Sequence, residues 1–229
     1  MSEEFSGNFS NLISTGCTLL DLAISGGKTK NGGIPSGIMV EIYGPAGGGK
    51  TVLLTEIAGY IQRAGGKVRY EDPEARLDET FAKMFDLDTL GDFEYDQPDT
   101  VSELFDSLTQ WEPEPEKGVV HGIFADSLAA LSTDLEMEKG DKMGMRRAKE
   151  FSEGCRKFAR ILKQKDFLMV CSNQVRTGEM GQDVTPGGKA IGFYASLRIR
   201  LKKVEKLFQE KTFKAGKAKK IKKVIGWVS

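Results

Sequence analysis

The stretch Gly44-Pro45-Ala46-Gly47-Gly48-Gly49-Lys50-Thr51 constrains this chain more than any other part of it. It reads Gly-x-x-x-x-Gly-Lys-Thr, the pattern of a phosphate-binding P-loop, and each fixed position has a physical reason. Glycines let successive backbone N–H groups curl around a phosphate with no Cβ in the way, and the helix that follows turns its positive end toward the same anion. On this reading Gly44, Pro45, Ala46, Gly47, Gly48, Gly49, Lys50, Thr51 and the adjoining Val52 cradle a nucleotide. Lys50 reaches the β- and γ-phosphates, and the Thr51 hydroxyl holds Mg²⁺. The pattern carries weight only between a strand and a helix. Ile38 to Tyr43 is a short, β-branched and mostly apolar run, and Val52 to Ala64 carries Leu53, Leu54, Ile57, Ala58 and Ile61 at helical spacing.

The rest of the chain repeats that alternation. Leu12 to Ala23 sets a Ser/Thr cluster before an apolar stretch and predicts a short helix ending at Gly26-Gly27, while Gly32 to Gly37 is a turn feeding the P-loop strand. Further strands are expected over Lys67–Glu71, Phe93–Tyr95, Val119–Ala125 and Phe167–Ser172, and helices over Glu79–Phe85, Val101–Trp111 and Arg146–Lys163. Pro113 and Pro115 make Glu112 to Gly118 a surface linker. The class is α/β, with a mostly parallel twisted sheet and helices on both faces, and ligands in such sheets bind beyond the carboxyl ends of the strands.

Composition excludes several chemistries. With one histidine, His121, in an apolar run, neither a histidine metal site nor a Ser-His-Asp triad is expected, and His121 reads as a core or strand-edge residue. Cys17, Cys155 and Cys171 show no ligand spacing and are expected to be buried, reduced thiols. No apolar run approaches the roughly 20 residues of a membrane span, and Met1 to Phe5 lacks the layout of a signal peptide, so a cytoplasmic protein is expected. The zero net charge is unevenly spread: Arg198 to Lys223 holds twelve Lys or Arg against two acids. Such asymmetry points to an anionic partner, nucleic acid first, with a solvated lysine-rich hairpin as the bland alternative.

A P-loop needs an acid ending a neighbouring apolar strand to help hold Mg²⁺, and Asp126, after Gly122-Ile123-Phe124-Ala125, fits. Hydrolysis also needs a group to orient or deprotonate water. Glu74 is our choice over Glu71 and Asp72 in Glu71-Asp72-Pro73-Glu74, although spacing alone does not separate the three.

Several further segments occur in a fixed order: Ile13-Ser14-Thr15-Gly16, Val40 to Pro45, Asp72 to Asp78, Gln97 to Thr100, Asp126 to Leu131, Asn173 to Arg176 and Phe193 to Ser196. Together they resemble the ATPase core of the RecA family of DNA strand-exchange recombinases, over about residues 12 to 202. The resemblance implies a RecA-like P-loop NTPase fold with ATP and Mg²⁺ as cofactors. It implies that Glu74 is the catalytic glutamate, that Phe81 packs near the adenine, and that Gln174 senses the γ-phosphate and relays its state to DNA. It also implies two DNA-binding loops. The first is Glu138 to Gly144, with Met143 placed to wedge beside bases; the second is Arg176 to Lys189, flanked by those two basic residues and containing Met180. Arg156, on the helix after the first loop, matches a DNA-contacting position of the family.

The chain also departs from the family pattern. About a dozen residues precede Ile13, too few for the family's N-terminal docking helix, which weakens the expectation of a homo-oligomer or filament even though Phe193 matches an interface position. The second loop is short and has no aromatic, and Gly192 stands where a lysine often reaches a neighbour's ATP. The expected organisation is a short segment, residues 1–12, and a core over 13–229 with a basic C-terminal hairpin, either truncated or naturally reduced near Ser229. The expected function is a DNA-dependent ATPase that binds single-stranded DNA in homologous recombination and repair. The alternatives are an ATP-switched annealing or accessory protein without strand exchange, and a helicase-like or clock-like relative acting on something other than DNA.

Overall fold

The computed structural model describes residues 11–27, 32–133, 144–177, 183–187, 189–203, 205–213 and 219–228. Its centre is a six-stranded sheet in which every pairing is parallel. In chain order the strands are β3 (Met39–Gly44), β4 (Val68–Glu71), β5 (Phe93–Asp96), β6 (Gly122–Ala125), β7 (Leu168–Gln174) and β10 (Leu197–Arg200), arranged β10-β3-β7-β6-β4-β5. The inner strands β3, β6 and β7 are buried almost throughout and read as mostly apolar runs because both of their faces are covered, whereas the edge strands β10 and β5 alternate apolar with charged residues and are largely exposed.

The period-two pleat sorts each strand between two cores. Val40, Ile42, Val68, Tyr70, Phe124, Leu168 and Val170 pack with Leu54, Ile57, Ala58 and Ile61 of α2 (Lys50–Arg63). Met39, Ile123, Ala125, Met169 and Cys171 face the other way, against α4 (Val101–Gln110), α5 (Gly144–Lys165) and α6 (Lys189–Tyr194). Helix α4 starts on a full capping box: the Thr100 hydroxyl accepts from Glu103 N, and the Glu103 carboxylate accepts from Thr100 N. The short α3 (Glu79–Lys83) is capped by Asp78, whose Oδ1 accepts from Phe81 N at 2.8 Å.

Two expectations are corrected. The N-terminal helix α1 begins only at Thr18 (Thr18–Ser25), because Leu12–Ile13 form β1 and pair antiparallel with β2 (Ile34–Pro35). Ser14 and Thr15 do not cap the helix at its start; their hydroxyls donate to the buried Asp21 carboxylate at 2.6 and 2.7 Å. Cys17 is exposed at the foot of α1, whereas Cys155 and Cys171 are buried as expected. His121 is buried between β6 and the proline linker, with Nδ1 accepting from Lys67 N at 3.0 Å and Nε2 facing Glu114 O at 3.2 Å.

After the sheet, β11 (Glu205–Phe213) and β12 (Lys219–Val228) pair antiparallel, and β8 (Arg176–Thr177) and β9 (Asp183–Val184) form a two-residue ladder directly beyond β7. Among the described residues no helix is long and apolar enough to cross a membrane.

Candidate active site

The carboxyl ends of β3, β4, β6 and β7 bring most of the chemistry-bearing side chains into one place. The P-loop leaves β3 at Gly44 and enters α2 at Lys50, with Gly49 in the left-handed region at φ 89°. Lys50 is buried and its ammonium donates to the carbonyls of Gly44 at 3.2 Å and Pro45 at 3.0 Å, so the lysine lies folded along its own loop. Burial lowers its pKa, offset by the nearby Asp126 and Glu74 carboxylates.

Thr51 Oγ1 donates to Asp126 Oδ2 at 2.6 Å, and the Ser172 hydroxyl donates to Asp126 Oδ1. Burial pushes the Asp126 carboxyl up; the two hydroxyl donors work against that, and the Glu74 and Asp72 charges add to it. A desolvated carboxylate beside a threonine hydroxyl, with two more acids near, is a hard-oxygen site short of positive charge. That donor chemistry fits Mg²⁺.

Glu74 stands across the cleft. Its Oε1 accepts from Ser127 Oγ at 2.7 Å and from Gln174 Nε2 at 3.4 Å, and its Oε2 pairs with Arg76 at 2.6 Å. The structure separates the three acids that spacing left together. Glu71 points to the opposite face of β4, where Arg69 Nε and Ser107 Oγ donate to it at 2.8 and 2.9 Å. Asp72 is spent on shaping its loop, accepting from Arg76 N, Leu77 N and Tyr95 Oη. Only Glu74 shares the cleft with Gln174.

Three partners were missed from sequence: Ser127, Ser172 and Arg76. Ser172 sits beside Asp126 because Ala125 pairs with Cys171 in the parallel register. Only knowledge of that register would have found it. Arg76 lies two residues beyond Glu74, a spacing that by itself signals nothing.

The remaining predicted residues are more dispersed. Phe81, in α3, is half-buried with its ring 5.0 Å from that of Phe85. Arg156 is exposed on α5. Arg176 opens β8 and Lys189 opens α6, while Met143 and Met180 fall outside the described residues. The root of the second loop is tied to the sheet: Asn173, buried at the end of β7, donates to Glu41 Oε1 at 3.0 Å and to Pro186 O at 3.1 Å. Glu41, fully buried on β3, also accepts from Arg198 Nε at 2.7 Å. A cavity of about 840 Å³ opens at the other end of the sheet, lined by Pro113, Pro115, His121 and Phe167 among others. It contains none of these groups, so chemistry and not volume locates the site.

Comparison with known proteins agrees with this architecture. A family model described as the RecA N-terminal domain matches residues 6–229. The protein named Protein RecA of Clostridium botulinum (strain Eklund 17B / Type B) is 35% identical over 206 residues, covering 86% of this chain and 54% of the relative. Those named Protein RecA of Clostridium beijerinckii and Clostridium perfringens (strain 13 / Type A) are 34% and 32% identical, covering 88% and 86% of this chain and 56% and 55% of their own lengths. The chain thus spans about half the length of the curated relatives it matches.

Proposed function

Because this chain belongs to the RecA family, we propose that it is an ATP-dependent recombinase that binds single-stranded DNA and hydrolyses ATP in response to it, in homologous recombination and repair. The observation that carries the reading is the position of Gln174. Its side-chain amide touches Glu74 in the cleft, and the next described elements are β8 and β9, the stem of the second loop.

In this mechanism Lys50 leaves the Gly44 and Pro45 carbonyls for the phosphates of ATP, which the amides of the P-loop surround. Thr51 and Asp126 would hold Mg²⁺, which when bound neutralises charge on the phosphate oxygens. Glu74 orients the attacking water and takes its proton, held in place by Ser127 and Arg76. Gln174 exchanges its contact with Glu74 for one with the γ-phosphate, and Asn173, bonded to Pro186, passes that shift to the far end of the same loop. Phe81 packs near the adenine. Arg156, Arg176 and Lys189 meet DNA phosphates, and Met143 and Met180 lie against bases. Phe193, 80% exposed on α6, is offered to a neighbouring copy in an assembly on DNA.

Phosphate release from ATP, measured with and without single-stranded DNA, tests the whole reading. Stimulation by DNA is expected, and a rate indifferent to DNA overturns it. Glu74→Gln should keep nucleotide binding and lose about 10²–10⁴ in turnover, the worth of a positioned general base. Undiminished turnover would remove Glu74 from its role.

A further inference from the structure

The outer side of the P-loop carries a second cation. Strand β10 lies beside β3 in parallel register, with Arg200 opposite Tyr43, and Leu201 N donates to Tyr43 O at 2.9 Å. Beyond that bond the chain crosses the root of the P-loop so closely that a Cβ on Gly44 would come within 2.5 Å of the Leu201 carbonyl oxygen. A glycine there is what allows the approach. Two residues later the Lys203 side chain reaches the loop itself. Its Nζ lies 3.2 Å, and its Cε 3.8 Å, from where a Cβ of Gly47 would stand. Gly47 is the middle of the phosphate-binding turn, with φ +65°.

Lys203 thus follows directly on the Leu201 bond that holds the chain beside the P-loop strand. Its charge is felt inside the site: behind burial, and against the pull of Asp126 and Glu74, repulsion from Lys203 helps to lower the pKa of Lys50. Two ammonium groups around one small anion-binding turn repel each other, and a polyphosphate held in that turn would attract both. An ammonium has three donors on a flexible stem and can meet a phosphate oxygen as a point charge.

We propose that Lys203 is a second phosphate-contacting lysine of the nucleotide site, acting in the same chain as Lys50 and binding the polyphosphate of a nucleoside di- or triphosphate from the outer side of the P-loop. The proposal rests on the nucleotide-binding reading above and adds a residue to it. It predicts a cost that appears only with ligand. Removing Lys203 takes away an attraction that the phosphates supply only when the turn is filled.

The test uses the full chain and three variants: Lys203→Met, which keeps the apolar stem, Lys203→Arg, which keeps the charge, and Lys50→Ala as reference. Fluorescent ADP and ATP analogues are titrated, inorganic tripolyphosphate serves as competitor, and thermal midpoints are recorded with and without nucleotide. Lys203→Met is expected to weaken nucleotide and tripolyphosphate binding about tenfold, the scale of one hydrogen bond to a charged group. The rise of its thermal midpoint on adding nucleotide should be smaller than that of the parent. Lys203→Arg should recover most of the affinity. Unchanged affinity in Lys203→Met, in a protein where Lys50→Ala does lose binding, overturns the role of Lys203 and leaves the nucleotide site standing. A thermal midpoint that rises with nucleotide as much in Lys203→Met as in the parent also overturns it. Loss toward nucleotides but not toward tripolyphosphate moves the contact off the phosphates, against the proposal. Failure of the parent chain to bind any of the three ligands overturns both this inference and the reading beneath it.

Discussion

Asp126 holds a charge that the rest of the protein only half compensates. Two hydroxyls donate to it, yet burial and its acidic neighbours still raise its pKa. Asp126→Asn should therefore leave the ligand-free protein as stable as the parent or more so, while abolishing the extra thermal stabilisation that Mg²⁺ adds to nucleotide. Differential scanning fluorimetry with nucleotide, with and without Mg²⁺, separates the two effects. His121 titrates in the opposite sense. Burial is the largest cause that lowers its pKa below the usual 6.5, and Lys67 adds to it, against the Glu114 carbonyl. The folded state thus prefers the neutral ring, whose Nδ1 accepts from Lys67 N. Its contribution to stability is complete above about pH 6.5 and is lost as pH falls through the lower folded value, because the unfolded chain then binds the extra proton. In urea titrations between pH 7.5 and 5, His121→Gln should show a shallower fall than the parent. Single positions were legible in sequence where a motif fixed them, as at Lys50 and Thr51. Among Glu71, Asp72 and Glu74 the deciding facts are that Glu71, ending β4, meets Arg69 and Ser107, that Asp72 is tied to its own loop, and that Glu74 beyond it meets Ser127 and Gln174; no spacing expresses that.

The elements most consequential for function are β3 and β7, because neighbouring strands place their ends together. Glu41 on β3 bridges Asn173 of β7 and Arg198 of β10, so one fully buried carboxylate fastens three strands under the site. Arg198 also lies over the Tyr43 ring, 4.5 Å from its centre. Removing the guanidinium strands a buried charge, which costs about 3 kcal/mol for a well-buried pair and less here, since Arg198 is partly exposed. Arg198→Ala should lose about 2 kcal/mol in urea unfolding, and the double variant with Glu41→Gln should recover part of that. An intact stability in Arg198→Ala would show that water replaces the arginine. The inner strands were legible as mostly apolar runs and α2 as a helical period, whereas β10, Leu-Arg-Ile-Arg at the sheet edge, was not among the expected strands. What the pattern could not express was pairing: Leu12–Ile13 carry no sign that they will join Ile34–Pro35, and Ser172 announces nothing until Cys171 is set beside Ala125.

Across the whole molecule, charge is divided along the chain, acidic before residue 198 and lysine-rich after it, with no net excess. If the proposed DNA contacts are made, binding of single strands should weaken steeply with salt, with a log–log slope near −0.7 for each phosphate contacted. Fluorescence anisotropy of a labelled oligonucleotide between 50 and 200 mM KCl reads that slope; a flat response would exclude an electrostatic DNA interface. The α/β class and the parallel sheet followed from the alternation of strand and helix patterns, whereas the strand order followed from nothing shorter than the folded chain.

The exposed Cys17 has a practical side. Burial pushes the Cys155 thiol up to about 12 and the Cys171 thiol well above its ordinary range, so neither offers a thiolate to a reagent. Among the three cysteines of this sequence the addressable thiol is therefore Cys17, at the foot of α1 and next to Gly16, which lies against the Glu56 side chain of α2. A maleimide dye attached there would sit on the shoulder of the helix that leads out of the P-loop, giving a site-specific optical reporter without engineering any cysteine out.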